Sequence, residues 1–540
     1  MGLKITTHSS LAKVYEDQIY GKEISSLIFA KNKDADFQIV LRGKGEYTFE
    51  IESDLVGITA NKIGLVKVDF PTAQCCMDDP HYQRYTPGMY PDPVMPLEEN
   101  KITLERKKYT SLWFEIPKQE RASKSKICVK FYKKGRLKGQ ACIDVRVANV
   151  ELPPQELKFT QWFHCDCIAS QYRIETFSEA HWYLIEKYIA LATKHGMNML
   201  LTPVLTPPLD TEVGCERPTT QLVSIKKSGD VYEFDTSRLE RFVEIARKNG
   251  IKYFEISHFF TQWGAKHAPK VVAEVDGEEK KIFGWETDAT SEEYTSFLRA
   301  FIPTIINCLT KMGVEKENIY FHISDEPGEA DLEQYLKLSA VVLPLIEGCN
   351  QIDALSKINF YKTGAVKTPV VATNDLEAFF EEGVEGLWCY YCCAQGRDVA
   401  NRFIAMPSER GRIIGTQMYL YNIKGFLQWG YNFYYTRLSK SFHINPYEDT
   451  SAGYGFPSGD AFSVYPVSGG AIPSIRQKAF RDAIDDIRLL SLAEKKLGRE
   501  EVENIVKAHA KMEMTFKKYP HDEEFFENLT SKLYERLENK

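Results

Sequence analysis

The sequence predicts a multi-domain chain: an N-terminal β-sandwich, then a (β/α)8 TIM-like barrel, then C-terminal helices. Three observations carry that reading. Residues 1–155 hold short, partly alternating apolar runs and no convincing long helix. From Phe159 the pattern changes to strand, helix, strand, and eight strand candidates follow. Past residue 498 the chain reads as two charged helices. The expected limits are 1–155 for the sandwich, 156–498 for the barrel and 499–540 for a helical extension.

In the first region, residues 36–42, 47–51, 63–70 and 111–116 read as strands. Residues 127–132 and 141–150 flank a turn-rich stretch at 133–139, which predicts a hairpin. The stretch 71–96 contains Pro80, Pro87, Pro91 and Pro93 and reads as a long loop against the next domain. Pro153-Pro154 marks the boundary.

The barrel strands are expected at 161–166, 198–203, 251–256, 319–323, 351–354, 369–372, 385–391 and 425–429. Helices are expected at 177–195, ending at Gly196, and at 237–249, ending at Gly250. Ser291 should open another, with Glu292 and Glu293 in its first turn. Asn374 should cap 376–382, and Pro473 should open a long amphipathic helix to Leu497. A doubly wound sheet is the alternative. The extension should be a solvated cap on the barrel.

Composition narrows the function classes. The chain has 540 residues, 43% hydrophobic and 12% aromatic, with a net charge of −7. No long basic block is present, so nucleic acid is not an expected partner. No apolar run long enough to span a bilayer occurs, so no membrane partner is expected either. The first 30 residues hold no export-type apolar run, which predicts a cytoplasmic protein. Twelve cysteines are then expected as reduced, buried thiols. Cys389-x-x-Cys392 with Cys393, and Cys165-x-Cys167, invite a metal or redox reading. Cys389 and Cys392 fall on a predicted strand, where positions three apart face opposite sides. No metal and no cofactor is expected.

The stretch that organises the rest is Ile319-Tyr-Phe-His-Ile-Ser-Asp-Glu-Pro-Gly328. An apolar strand climbs and stops in two carboxylates, Asp325 and Glu326, at a strand end, where barrels place their chemistry. Pro327 should keep Glu326 out of the helical region, so that both neighbours can point into one cavity. The dipeptide alone is a weak signal, because it recurs at Asp522-Glu523 in what reads as a solvated stretch.

The other strand ends supply candidates for binding: His258 and Trp263 after strand three, Trp388, Tyr390 and Tyr391 on strand seven, and Gln428, Trp429 and Asn432 at strand eight. Aromatic faces and amides suit a neutral polyhydroxylated ligand, an oligosaccharide or glycoside. Each has a plainer reading. His258 could be a structural histidine, and Trp388 and Trp429 could plug the barrel. Tyr390 and Tyr391 cannot both face inward on a regular strand. His322 reads as barrel interior, hydrogen-bonded, and able to orient Asp325.

His322-Ile-Ser-Asp-Glu-Pro327, Gly425-Phe-Leu-Gln-Trp-Gly430 with Asn432, and Gly459-Asp-Ala-Phe-Ser-Val-Tyr-Pro466 with Ile472-Pro-Ser-Ile-Arg476 resemble the catalytic domain of glycoside hydrolase family 123. The resemblance covers residues 155–500. It implies a β-sandwich before a (β/α)8 barrel and a retaining β-N-acetylgalactosaminidase activity. It also implies substrate-assisted catalysis, in which the sugar's acetamido oxygen attacks its own anomeric carbon to form an oxazolinium-like ring. It maps Glu326 to the general acid and base and Asp325 to the group that orients the acetamido N–H. On that mapping a neighbouring anion should raise the pKa of Glu326, and Asp325 should stay ionised. A cytoplasmic member would trim short imported sugars. Two other readings remain open on the residues: a glycosidase of other specificity using the pair as acid and nucleophile, and a sugar-binding protein without catalysis.

Overall fold

The computed structural model describes residues 2–539. The N-terminal region holds two five-stranded sheets. One runs in the order Lys4–Ser9, Ala35–Arg42, Tyr109–Ile116, Thr59–Val68, Gly88–Pro96. The other runs Ser26–Ala30, Arg136–Ala148, Ser123–Lys133, Gly45–Glu52, Lys101–Leu104. Alternation sends Tyr47 and Phe49 of the second sheet inward, into one apolar cluster with Phe37, Ile39 and Phe114 of the first. The rings of Phe49 and Phe114 meet edge-on at 6.2 Å.

Three expectations change here. Residues 88–96 are a strand, not part of a loop. It is an edge strand, where the missing N–H groups of Pro91 and Pro93 break no inner ladder. The hairpin turn is only Lys134 and Gly135, both at positive φ, so the strands run further than expected. Cys128 and Cys142 face each other across that hairpin as a disulfide, so these two are not reduced thiols. Of the remaining cysteines, Cys75 and Cys215 are exposed.

The barrel strands are β1 (Lys158–Gln161), β2 (Met199–Thr202), β3 (Tyr253–Ile256), β4 (Ile319–Phe321), β5 (Asn350–Leu355), β6 (Thr368–Ala372), β7 (Trp388–Tyr390) and β8 (Gly425–Gln428). They form one parallel sheet in the order β1-β8-β7-β6-β5-β4-β3-β2. The last gap, between β1 and β2, is spanned by Asn198: its N–H donates to Phe159 O at 3.2 Å and its Oδ1 accepts from Phe159 N at 2.8 Å. The barrel is thus nearly closed. Strand β1 lies several residues before its expected place, and the helix Cys165–Tyr172 occupies part of that stretch. The run from Phe159 to Cys167 holds no Gly or Pro, so no turn residue marks the break in it.

Three of the long helices lie close to their expected places, each opened by a serine cap, of which only Ser291 was expected. Ser178 Oγ accepts from His181 N ahead of Glu179–Lys194, Ser291 Oγ from Tyr294 N ahead of Glu292–Lys311, and Ser474 Oγ from Gln477 N ahead of Ile475–Leu497. Asn374 does not cap: its Oδ1 accepts from Gln395 Nε2 at 2.8 Å, and the helix after it is only Glu377–Glu381. The loops after β2 and β3 each contribute a hairpin, and the two join as a separate four-stranded sheet.

The terminal helices Arg499–Ala510 and Glu524–Glu538 are not a solvated cap. Phe525, Phe526, Leu529, Leu533, Tyr534 and Leu537 are buried. The second helix is tied to the N-terminal sheets by Lys22 to Glu524 at 2.5 Å and by Arg146 to Glu538. The stretch 71–87 does lie against the barrel, with Tyr82 OH donating to Gly396 O at 2.7 Å and Arg410 pairing with Asp79 at 2.8 Å. Among the described residues no helix is long and apolar enough to cross a membrane.

Candidate active site

Regular strand β4 ends at Phe321, and the chain then continues irregularly to Asp325 and Glu326. Four hydrogen-bonding groups pin that stretch. The carboxylate of Asp353, on β5, accepts from Ile323 N at 3.1 Å and from Ser324 N at 3.2 Å. Glu326 N donates to Ala354 O at 3.1 Å, and Trp263 N donates to Asp325 O at 3.1 Å. Glu326 takes the left-handed conformation, with φ 46°. A residue before proline more commonly relaxes to extended backbone. A left-handed glutamate is a strained choice of order 1–3 kcal/mol, held only where surrounding bonds over-determine it.

The acid side chains differ in depth. Glu326 is exposed at the mouth, and its Oε1 accepts from Tyr390 OH of β7 at 2.6 Å. Asp325 beside it is only partly exposed. Burial, then the neighbouring Glu326, pushes the Asp325 carboxyl well above the usual range. Asp353 and Asp210 add to that push, while His322 pulls the other way. The resemblance implied an Asp325 that stays ionised; the push is upward because a carboxyl lying deep beside a like charge loses hydration. Asp210, in the loop after β2, is itself raised to about 6 by burial.

Beneath the pair the barrel interior is polar. His322 Nε2 donates to Glu255 Oε1 of β3 at 2.6 Å. Glu255 also accepts from Trp162 Nε1 at 2.7 Å and from Thr160 Oγ1 at 2.5 Å. Asp353 accepts from Tyr335 OH as well. These carboxylates were missed in the sequence. A signal was present: Glu255 and Asp353 are lone acids inside apolar strands, a place where a charge persists only with partners.

The sequence-predicted binding residues divide. Trp263 is 48% exposed, next to Asp325, with φ 57°. Tyr390 touches Glu326 directly. Trp429 is half-buried, and its Nε1 donates to Asp460 Oδ2 at 2.9 Å. The rest are placed elsewhere. His258 is buried with its ring stacked on His322 at 4.2 Å, and neither of its ring nitrogens has a hydrogen-bond partner among the described residues. Trp388 fills the barrel interior against Tyr320, at 5.6 Å. Its indole lies so close to β8 that a Cβ on Gly425 would approach it to 2.0 Å. Tyr391 points outward onto Phe426, at 4.9 Å, as strand alternation requires once Tyr390 faces inward. Gln428 is fully buried, bonded to Asp460, Gly430 N and Arg402. Asn432 clamps the backbone of His164, at 2.9 and 3.0 Å. Gln428 and Asn432 thus spend their hydrogen bonds on the protein. Asp460, also missed, is raised to about 7, burial outweighing the nearby Arg402 and the Trp429 bond.

Cys389 is buried on β7, and Cys392 and Cys393 lie just past it, half-buried. Among the described residues no group of three or more His, Cys, Asp or Glu is arranged to hold a metal ion. A cavity of about 800 Å³ lies away from the pair, between the N-terminal sheets and the terminal helices. Among the charges that line it, Lys33 pairs with Asp482 at 3.0 Å and Arg412 with Asp486 at 2.7 Å.

Comparisons with known proteins bear on this arrangement. The family model described as glycoside hydrolase 123, catalytic domain, matches residues 162–493. A search of curated protein sequences returns no significant match. Among solved structures, a family 123 glycoside hydrolase from Clostridium perfringens, studied for glycolipid glycan hydrolysis, superposes with a TM-score of 0.73 at 15% identity, covering 99% of this chain and 97% of that one. A Bacteroides ovatus GH5 xyloglucanase gives a TM-score of 0.34 at 9% identity, covering 85% and 98%. A Rhizomucor miehei family 5 mannosidase gives 0.33 at 10%, covering 66% and 97%. With the family match covering more than half of the chain, including barrel strands β2 to β8, the chain belongs to glycoside hydrolase family 123 and is a glycosidase.

Proposed function

We propose that this chain is a retaining, exo-acting β-N-acetylhexosaminidase that releases N-acetylgalactosamine by substrate-assisted catalysis. The observation that carries the reading is the pairing of an exposed Glu326, oriented by Tyr390 OH at 2.6 Å, with a deeper Asp325 beside it. Adjacent acids on irregular backbone can attend to two neighbouring positions of one sugar. In this reading Glu326 protonates the leaving oxygen and later takes a proton from water. Asp325 accepts the acetamido N–H, aims the acetamido oxygen at the anomeric carbon, and stabilises the positive charge of the oxazolinium-like ring. A bound N–H donor favours the anion of Asp325, offsetting the burial that raises its pKa in the free protein.

Trp263 and Trp429 offer the remaining aromatic faces for the sugar or its aglycone. We read the two facing N-terminal sheets, residues 1–155, as a β-sandwich, with the catalytic barrel at 156–498 and a helical extension at 499–540. The Cys128–Cys142 bond weighs against the expected cytoplasmic setting, since such bonds persist in oxidising surroundings.

The test is hydrolysis of aryl N-acetyl-β-galactosaminide and the matching glucosaminide, with product stereochemistry followed by proton NMR. Turnover of the first with a β product supports the reading; turnover of neither rejects it. An oxazoline mimic separates this from a glycosidase that uses the pair as acid and nucleophile, because it inhibits only the acetamido-assisted enzyme.

A further inference from the structure

The carboxylates and histidines buried under the acid pair take no part in the chemistry just described. His322 is the first residue past β4, and a carboxylate lies near each ring nitrogen: Glu255 Oε1 is hydrogen-bonded to Nε2 at 2.6 Å, and Asp353 Oδ1 lies 3.4 Å from Nδ1, within ion-pair range but outside hydrogen-bond geometry. All three side chains are fully buried. A neutral imidazole donates from one nitrogen only, so an arrangement with an acceptor at both ends suits the doubly protonated ring.

The partners of the partners point the same way. Glu255 otherwise receives Trp162 Nε1 and Thr160 Oγ1, and Asp353 receives Tyr335 OH, Ile323 N and Ser324 N. Each is a donor, so both carboxyls act as acceptors throughout. The ring of His258 lies on the ring of His322 with an interplanar angle of 21°. Burial, then His322 itself, pushes His258 well below its ordinary value, so it faces its neighbour as a neutral ring. Burial would lower His322 too, but the two carboxylates beside it, Asp353 and Glu255, outweigh that and raise it to about 9.

We propose that His322 is a positioning residue for the acid pair: clamped between Glu255 of β3 and Asp353 of β5, it places a fixed positive charge under Asp325 and locks the backbone turn that carries Asp325 and Glu326. The proposal rests on the reading that these two acids do the chemistry. Asp353 is the shared part, because one carboxylate grips both His322 and the amides of residues 323 and 324. The cation is also the group that opposes the upward push on Asp325 from burial, Glu326, Asp353 and Asp210.

The experiment compares the wild type with His322→Gln, which keeps a donor for Glu255 but no charge, and with Asp353→Asn. Readouts are kcat and KM on the aryl N-acetyl glycosides across pH, plus the unfolding midpoint. Loss of the cation should lower kcat about 10- to 100-fold with KM changed less than about threefold, the size expected of a misplaced catalytic group. It should also move the acidic limb of the profile to higher pH, because Asp325 then needs a higher pH to ionise. An unchanged kcat or an unmoved limb in folded His322→Gln overturns the inference, and the function stands if Glu326→Gln is inactive in the same assay. If wild type cleaves neither glycoside, the function reading falls instead. Nitrogen-15 spectra of the wild-type histidines decide the charge independently of activity and of how the variants fold. An imidazolium at position 322 at pH 7.5 is expected, and a neutral tautomer there overturns the proposal.

Discussion

Asp325-Glu326 and Asp522-Glu523 are the same dipeptide in one chain, and they have opposite fates. At the first, the backbone turns left-handed at Glu326, and a tyrosine from β7 reaches it across the barrel. Buried charges of both signs stand beneath it. At the second, Asp522 Oδ1 accepts from Phe525 N at 3.0 Å and closes the start of the terminal helix. Glu523 accepts from Ser9 Oγ and is raised mainly by burial. The second pair was expected in a solvated stretch; Asp522 is exposed, but Glu523 is half-buried in a seam with Glu409, which burial and then Glu523 raise to about 8. Acid content, and even a raised pKa, does not separate a candidate catalytic pair from a structural one. The difference is convergence from several strands on one point, against bonding along one helix start.

Glu326→Gln should have the largest effect, lowering kcat about 10²- to 10⁴-fold in single-turnover assays of the aryl glycoside. Asp325→Asn should match it, and an intact rate there would end the case for substrate assistance. Tyr390→Phe removes one hydrogen bond to the acid. It should lower kcat about tenfold, or about 1.4 kcal/mol, and a loss confined to KM would show that the tyrosine only binds.

The second pair should answer only in stability. Glu409 is raised from an ordinary 4.5 to about 8, so its neutral form favours the folded state at low pH. That contribution is full below about 4.5 and lost as pH rises through about 8. Glu409→Gln, neutral at every pH, should therefore raise the urea midpoint at pH 8.5, by on the order of 1 kcal/mol, and leave it nearly unchanged at pH 4. A gain at both pH values would break the linkage argument. Asp522→Ala should cost about 1 kcal/mol of stability through the lost cap, with kcat unchanged. A drop in kcat would mean that the seam communicates with the barrel mouth.

Much of this could be read from short stretches of chain. Periodicity marked the barrel strands, and serines and glycines marked the ends of the long helices. Strand β1 was expected too late in the chain because no Gly or Pro separates it from the helix that follows. The terminal helices looked solvated because each carries many charged residues, and a charged face does not say what the opposite face meets.

By itself the sequence determined the repeating strand-helix order and the delivery of Asp325 and Glu326 to a strand end, since period and turn chemistry act within a few residues. Only the tertiary structure decided that Tyr390 touches Glu326, that Tyr391 faces outward, and that His322 lies between Glu255 and Asp353. Those partners come from strands far apart in the chain. They meet through the register in which the barrel closes, which no local pattern encodes.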